Sequence, residues 1–140
     1  VSGAPGPFRG IDHVGVAVPD LAAARRVFEG LLGMRVVAEE TVPEQRVRVL
    51  KLDAGGGDLE LLESTDPDGP VGRFLARRGP GVHHVTLRVE DLAATLAALA
   101  ARGVELLDRE PRPGAEGARI AFLHPRSTGG ILIELCERPG

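Results

Sequence analysis

Two histidines and two glutamates stand at matching places in a chain that repeats itself. Ile11-Asp12-His13-Val14-Gly15-Val16-Ala17-Val18-Pro19-Asp20-Leu21-Ala22-Ala23 is echoed without a gap by Val82-His83-His84-Val85-Thr86-Leu87-Arg88-Val89-Glu90-Asp91-Leu92-Ala93-Ala94, which sets His13 on His84 and Asp20 on Asp91. Further on, Leu59-Glu60-Leu61-Leu62-Glu63 is echoed by Ile133-Glu134-Leu135-Cys136-Glu137, so Glu60 falls on Glu134 after a gain of three residues between the anchors. One histidine near the start of a unit and one glutamate near its end, used twice, give two imidazoles and two carboxylates. That is the donor set of a divalent metal site. A lone strand histidine is more often a hydrogen-bonding residue than a ligand, and it is the matched set of four that tips the reading toward ligation.

These residues need a scaffold, and the length limits it. With 140 residues, 43% of them hydrophobic, the chain has material for one domain and one core, which the two halves must share. The expected organisation is a loose Gly/Pro-rich arm over 1–10, then a single domain over 11–140 built from modules 11–66 and 82–137. Two copies only are an internal duplication, not a stacking array. A net charge of −3 with 26% charged residues predicts no bulk attraction to nucleic acid or membrane. All the basic residues but Lys51 are arginines, which suit phosphate recognition but also follow from genome base composition. A single cysteine, Cys136, cannot form an internal disulfide, and no signal-peptide pattern or bilayer-length apolar run is present; the expectation is a cytoplasmic protein.

Each half parses alike. Val14, Val16 and Val18 alternate with His13, Gly15 and Ala17, and Val85, Leu87 and Val89 alternate with His84, Thr86 and Arg88, so each half opens with a strand. The small Gly15 and Ala17 leave space beside His13. Asp20 and Asp91 then stand where a helix N-cap is needed; Leu21, Ala24, Phe28 and Leu31, and Leu92, Leu96 and Leu99, follow at helical spacing, and Gly33 and Gly103 suit C-caps. Three strands close each half, near 35–39, 47–52 and 59–63, and near 105–110, 119–123 and 131–136. The fold class is α+β: two tandem βαβββ modules forming a cupped eight-stranded mixed sheet with helices on its outer face. Alternation puts His13, Glu60, His84 and Glu134 on the inner side.

The residues from Ile11 to Glu137 resemble the vicinal oxygen chelate (glyoxalase-fold) superfamily and, within it, the methylmalonyl-CoA epimerase family. The segments that carry the likeness are Ile11-Asp12-His13, Val42-Pro43-Glu44-Gln45, Leu59-Glu60-Leu61-Leu62-Glu63 leading to Asp66-Pro67, Gly81-Val82-His83-His84, and Gly114 through Phe122-Leu123-His124-Pro125 to Gly129-Gly130-Ile131-Leu132-Ile133-Glu134-Leu135. The first and fourth suit many superfamily members; the second and last are more particular to the epimerases. The resemblance implies metal ligands at His13, Glu60, His84 and Glu134. Glu60 stands where some relatives carry glutamine, which makes the site more anionic. It also implies a homodimer, methylmalonyl-CoA as substrate, and a divalent ion, Co2+ before Mn2+, Ni2+, Fe2+, Mg2+ or Zn2+, with two coordination positions left open if octahedral.

The implied reaction interconverts (2R)- and (2S)-methylmalonyl-CoA by 1,1-proton transfer through a metal-stabilised enolate. Inversion calls for proton carriers on opposite faces. Glu134 is one, as ligand and acid/base, and Glu44 is the expected second. Relatives that carry a strand glutamate downstream have no counterpart in Arg46-Val47-Arg48-Val49-Leu50, so Gln45 with a water, or a water on the metal, remains open for that role.

Other polar residues have plainer readings. His83 points to the helix side as a structural residue, and His124 is balanced between turn and substrate contact. Glu39, Glu40, Glu63 and Glu137 are expected to be solvated, Ser127-Thr128-Gly129-Gly130 to be a turn, and Cys136 to pack rather than react. Arg48, Arg88, Arg119 and Arg126 are candidates for the coenzyme A phosphates. Three rivals share the architecture: a glyoxalase-type isomerase or lyase, a ring-cleaving dioxygenase and a non-enzymatic drug-binding resistance protein. The epimerase-like segments weigh against the first. Glu60 would take up a position that the second needs for oxygen. The third has no use for four ionisable groups, and with four Phe, no Trp and no Tyr the chain lacks aromatic stacking surface.

Overall fold

Where apolar residues alternate, the chain forms strands. The computed structural model describes residues 6–140, in which β1 (Phe8–Ala17), β2 (Arg35–Val42), β3 (Val47–Asp53), β4 (Asp58–Ser64), β5 (Gly81–Val89), β6 (Arg112–Pro113), β7 (Arg119–Phe122) and β8 (Ile133–Glu137) accompany α1 (Leu21–Arg25), α2 (Pro70–Arg78) and α3 (Leu92–Ala101). Hydrogen bonding orders the strands β2-β3-β4-β1-β5-β8-β7-β6, with β1 and β4 parallel and the two outer hairpins antiparallel, a mixed sheet of the α+β class. Phe8 to Gly10, assigned to the arm by sequence, are strand; Val1–Pro5 of that arm lie outside the described residues. Two compact units divide the chain, His13–Val85 and Thr86–Gly140 with the N-terminal run up to Asp12, so that β1 and β5 each contribute to both. No helix among the described residues is long and apolar enough to cross a membrane.

In the unit His13–Val85, Leu50 and Leu52 of β3 and Leu61 of β4 meet Val18, Leu21, Phe28 and Met34 in one apolar cluster. That packing fixes which strand face is left for Glu60. Asp20 caps α1 by accepting from the Ala23 amide at 3.1 Å. A second carboxylate, Glu63 of β4, accepts from the Leu21 amide at 2.9 Å, so two orphan amides of the first turn are satisfied and Glu63 is not merely solvated. After Arg25 the helix widens into a π segment, Arg26–Leu31, in which Leu32 N–H reaches back five residues to Val27 C=O. The wider turn breaks the 3.6-residue spacing, and Leu31, expected on the buried face, is 81% exposed. Helix α2 falls between the repeats and was not anticipated, although Pro70 in its first turn, Arg77 and Arg78 in its last and Gly79 at φ +72 all mark it.

The other unit repeats the scheme. Asp91 caps α3 through the Ala94 amide at 3.0 Å, Glu137 of β8 accepts from the Leu92 amide at 2.8 Å, and Leu92 and Leu96 pack on Val89, Ala121, Leu123 and Leu135. Glu137, like Glu63, anchors a helix instead of facing water alone. The strand expected at 105–110 does not form. Only Leu106 bridges to Leu123, and the ladder partner of β7 is the short β6. Pro111 and Pro113 bring no N–H to a ladder, and Phe122 N–H is taken by the Asp108 carboxylate at 2.8 Å while its C=O accepts from Leu107. The three residues gained by the second repeat lie in the β7–β8 connection, which makes a short 3₁₀ turn at Pro125–Ser127 before Gly129 and Gly130.

Candidate metal centre and proton-transfer residues

With Leu59 and Leu61 committed to the core, Glu60 and Leu62 take the opposite face of β4. Register places Gly15 of β1 on one side of Glu60 and Lys51 of β3 on the other. His13 leaves β1 on that face. Its Nδ1 lies 3.2 Å from Glu60 Oε2, and its Nε2 lies 3.2 Å from Nε2 of His84. All three side chains are buried. Gly15 is what admits the His84 ring: a Cβ there would overlap it. The line of rings continues to His83, whose Nδ1 is 2.9 Å from His84 Nδ1 and which stacks edge-on against Phe74 of α2. Alternation alone would turn His83 to the helix side, away from His84; the ring instead reaches both Phe74 and the His84 ring. Lys51 Nζ, on the far side of Glu60, is 3.8 Å from Glu60 Oε2 and 3.8 Å from Asp58 Oδ2. Nothing in the sequence singles out Lys51, because a lysine in a strand is usually an exposed one.

In the unit containing β8, Glu134 is buried and held by a residue with no assigned role. Thr86 Oγ1 donates to Glu134 Oε1 at 2.5 Å. Thr86 sits one alternation beyond His84 on β5, and that shared face was the only sequence signal for it. Phe122 of β7 stands opposite Glu134 in the ladder. Asp12, next to His13 in sequence, is committed elsewhere: Arg88 donates to its Oδ1 at 2.9 Å, and Arg138 donates to Oδ1 at 3.0 Å and Oδ2 at 2.6 Å. A buried carboxylate so paired is a structural clamp.

The remaining candidates separate clearly. Glu44 lies exposed in a 3₁₀ turn, Pro43–Gln45, and its side chain makes no hydrogen bond or ion pair among the described residues; Gln45 beside it is half-buried. Glu40, expected to be solvated, is half-buried and in register with Val49, which pairs in turn with Leu62, so it shares the face of Glu60. Glu39 is exposed and pairs with Arg25. His124 accepts from the Arg126 amide at 3.0 Å, the work of a turn cap, and Thr128 closes the following turn. The four arginines considered for phosphates each have a carboxylate: Arg48 with Glu63, Arg88 with Asp12, Arg119 with Glu137 and Arg126 with Glu105. Burial, then the nearby Asp12 charge, pushes the Cys136 thiol up to about 12, which suits packing and not nucleophilic attack.

The donors within His13–Val85 fit a divalent cation. Two buried imidazole Nε2 atoms face each other at 3.2 Å, where only one proton can lie between them, and a carboxylate adjoins one ring. A cation satisfies both nitrogen lone pairs at once. Glu60 meets the ring nitrogen of His13 turned away from His84, the place from which a carboxylate orients a ligating imidazole.

Residues 12–122 match the family model described as the Glyoxalase/Bleomycin resistance protein/Dioxygenase superfamily, and the chain belongs to that superfamily. It is 45% identical over 130 residues, 93% of each sequence, to the uncharacterised protein YqjC of Bacillus subtilis. The crystal structure of methylmalonyl-CoA epimerase from Mycobacterium tuberculosis is similar with a TM-score of 0.94 at 36% identity, covering 99% of this chain and 94% of that one. A methylmalonyl-CoA epimerase solved in complex with methylmalonyl-CoA and NH4+ gives a TM-score of 0.88 at 39% identity, over 95% of this chain and 96% of that one. Within the superfamily the chain is therefore an isomerase of the methylmalonyl-CoA epimerase type.

Proposed function

We propose that the chain interconverts (2R)- and (2S)-methylmalonyl-CoA by moving the proton on the carbon between carboxylate and thioester, with a divalent ion held by His13, Glu60, His84 and Glu134. The observation that carries the ion is the buried meeting of His13, Glu60 and His84 within one unit; Glu134 joins them as the repeat counterpart of Glu60. Bound there, such an ion would supply Lewis acidity to the substrate oxygens and so acidify the α-carbon. Co2+ is the proposed ion, on the resemblance to the epimerases, and a cytoplasmic homodimer the proposed state.

The protein's own groups carry the proton. Glu134 takes it from one face and returns it there, and the Thr86 hydroxyl, by donating to Oε1, fixes the carboxylate plane and keeps Oε2 as the atom that exchanges. Glu44 is the proposed carrier on the other face. A specific observation favours Glu40 as the alternative, since it lies on the face of Glu60 beside Val49 while Glu44 is exposed in its turn.

Elemental analysis and exchange in D2O test the reading together. The purified protein should hold about one divalent ion per chain, and deuterium should enter the α-carbon of methylmalonyl-CoA, stopping on chelation and resuming with Co2+. An ion-free protein that still exchanges the α-proton would overturn the metal-dependent reading. E44Q and E40Q separate the second carrier: the variant of the true one should lose about a hundredfold in epimerisation while retaining exchange from one face.

A further inference from the structure

Lys51 is the only lysine of the chain, and its side chain is 4% exposed. A buried ammonium needs a reason. Its neighbours are two carboxylates, Asp58 and Glu60, each 3.8 Å from Nζ, and they differ in their access to water: the Asp58 side chain is 28% exposed and that of Glu60 only 5%. Water can therefore compensate Asp58, but scarcely Glu60. Register binds the pair as well as distance does, because Lys51 and Glu60 are direct cross-strand partners. The equivalent position of the second repeat, opposite Glu134, holds Phe122. An ammonium at this point is thus a feature of the Glu60 side, not of the duplicated scaffold.

We propose that Lys51 is a positioning residue that serves as the resident countercharge of Glu60, holding that carboxylate in place in the metal-free chain and setting the affinity for a divalent ion lower than the ligands alone would give. The inference rests on the metal-dependent reading above only in its second half. In the metal-free protein the ammonium, together with the His13 ring 3.2 Å from Glu60, balances a carboxylate that water scarcely reaches. Once an ion binds beside Glu60, two cations share one carboxylate, and their repulsion weakens the ion's hold. Removing Lys51 should then act in opposite directions on stability and on ion binding. A side chain that only filled space would not do so.

The test uses K51M, E60Q and K51M/E60Q, melted without metal and then titrated with Co2+ by calorimetry. K51M should lower the metal-free Tm by about 10 °C, and saturating Co2+ should remove most of that deficit because the ion takes over the countercharge. Where K51M folds, it should bind Co2+ roughly tenfold more tightly than the unaltered chain. K51M/E60Q, with neither charge, should melt within about 3 °C of the unaltered chain. The proposal is overturned if the double variant loses as much as the two single losses added, if it fails to fold alongside K51M, or if K51M binds Co2+ no more tightly. A chain that takes up no Co2+ would sink the metal-dependent reading, and with it the affinity effect, while the metal-free melts still decide whether Lys51 and Glu60 are coupled.

Discussion

The two halves of the chain agree on the helix side of their strands and disagree on the other. Asp20 and Asp91 cap their helices alike, Glu63 and Glu137 hold the first helical amides alike, and Arg48 and Arg119 stand on those glutamates at the same distance, 3.5 Å. On the opposite face the counterparts diverge. Gly15 corresponds to Thr86, the first making room for the His84 ring and the second gripping Glu134; Lys51 corresponds to Phe122, an ammonium against an aromatic ring. The difference teaches how a duplicated scaffold obtains two glutamates of unlike character. The backbone puts Glu60 and Glu134 in equivalent places, and two neighbours of each decide their behaviour. Glu60 has the Lys51 ammonium at 3.8 Å, whereas Glu134 accepts from the Thr86 hydroxyl and lies opposite Phe122, a difference on which the proton-carrying role proposed for Glu134 can be tested.

The comparison can be broken at its strongest point by exchanging the glutamates' roles. E134Q should lower kcat for epimerisation by about a thousandfold with little change in KM, whereas E60Q should act mainly on ion affinity; equal losses of kcat in both would erase the distinction. Next in size is the room beside His84. G15A should displace that ring and weaken Co2+ binding by at least about tenfold, measured by competition with a chromophoric chelator, and unaltered affinity would mean that the ring tolerates the methyl group. T86V, which keeps the shape and removes the hydroxyl, should cost about tenfold in kcat and about 1 kcal/mol in stability to urea. The smallest effect tests the likeness of the outer faces. E63A and E137A should each destabilise by about 1 kcal/mol, and by nearly equal amounts, because each removes one charge-assisted bond at a helix start together with one half-exposed arginine pair. A large inequality between them would show that the outer faces differ too.

Much of this was legible in the sequence because repetition made it so. His13 against His84 and Glu60 against Glu134 point to a site before any strand is drawn, and the alternation of Leu59 and Leu61 with Glu60 gives the face correctly. Asp20, Asp91, Gly33 and Gly103 act as predicted because capping is a local matter, settled within one turn. What escaped depended on partners distant in sequence. Glu63 and Glu137 read as surface charges until their strands bring them to a helix start 42 and 45 residues away. Lys51 acquires meaning only opposite Glu60. The π segment turns Leu31 outward through a hydrogen-bond choice that apolar spacing cannot reveal, and the 105–110 strand is lost to Pro111, Pro113 and the Asp108 carboxylate. Helix α2 has adequate punctuation but no twin in the other half, so repetition does not reveal it.

Strand β4 carries Glu60 on one side and, three positions on, Glu63 on the other; β8 does the same with Glu134 and Glu137. A hairpin that paired one residue out of step would turn both acids over together, leaving the helix start without its acceptor and the opposite strand face without its carboxylate. Misalignment is thereby made to fail twice, and the chain that reaches a firmly seated helix has, by the same act, set its glutamate where it is needed.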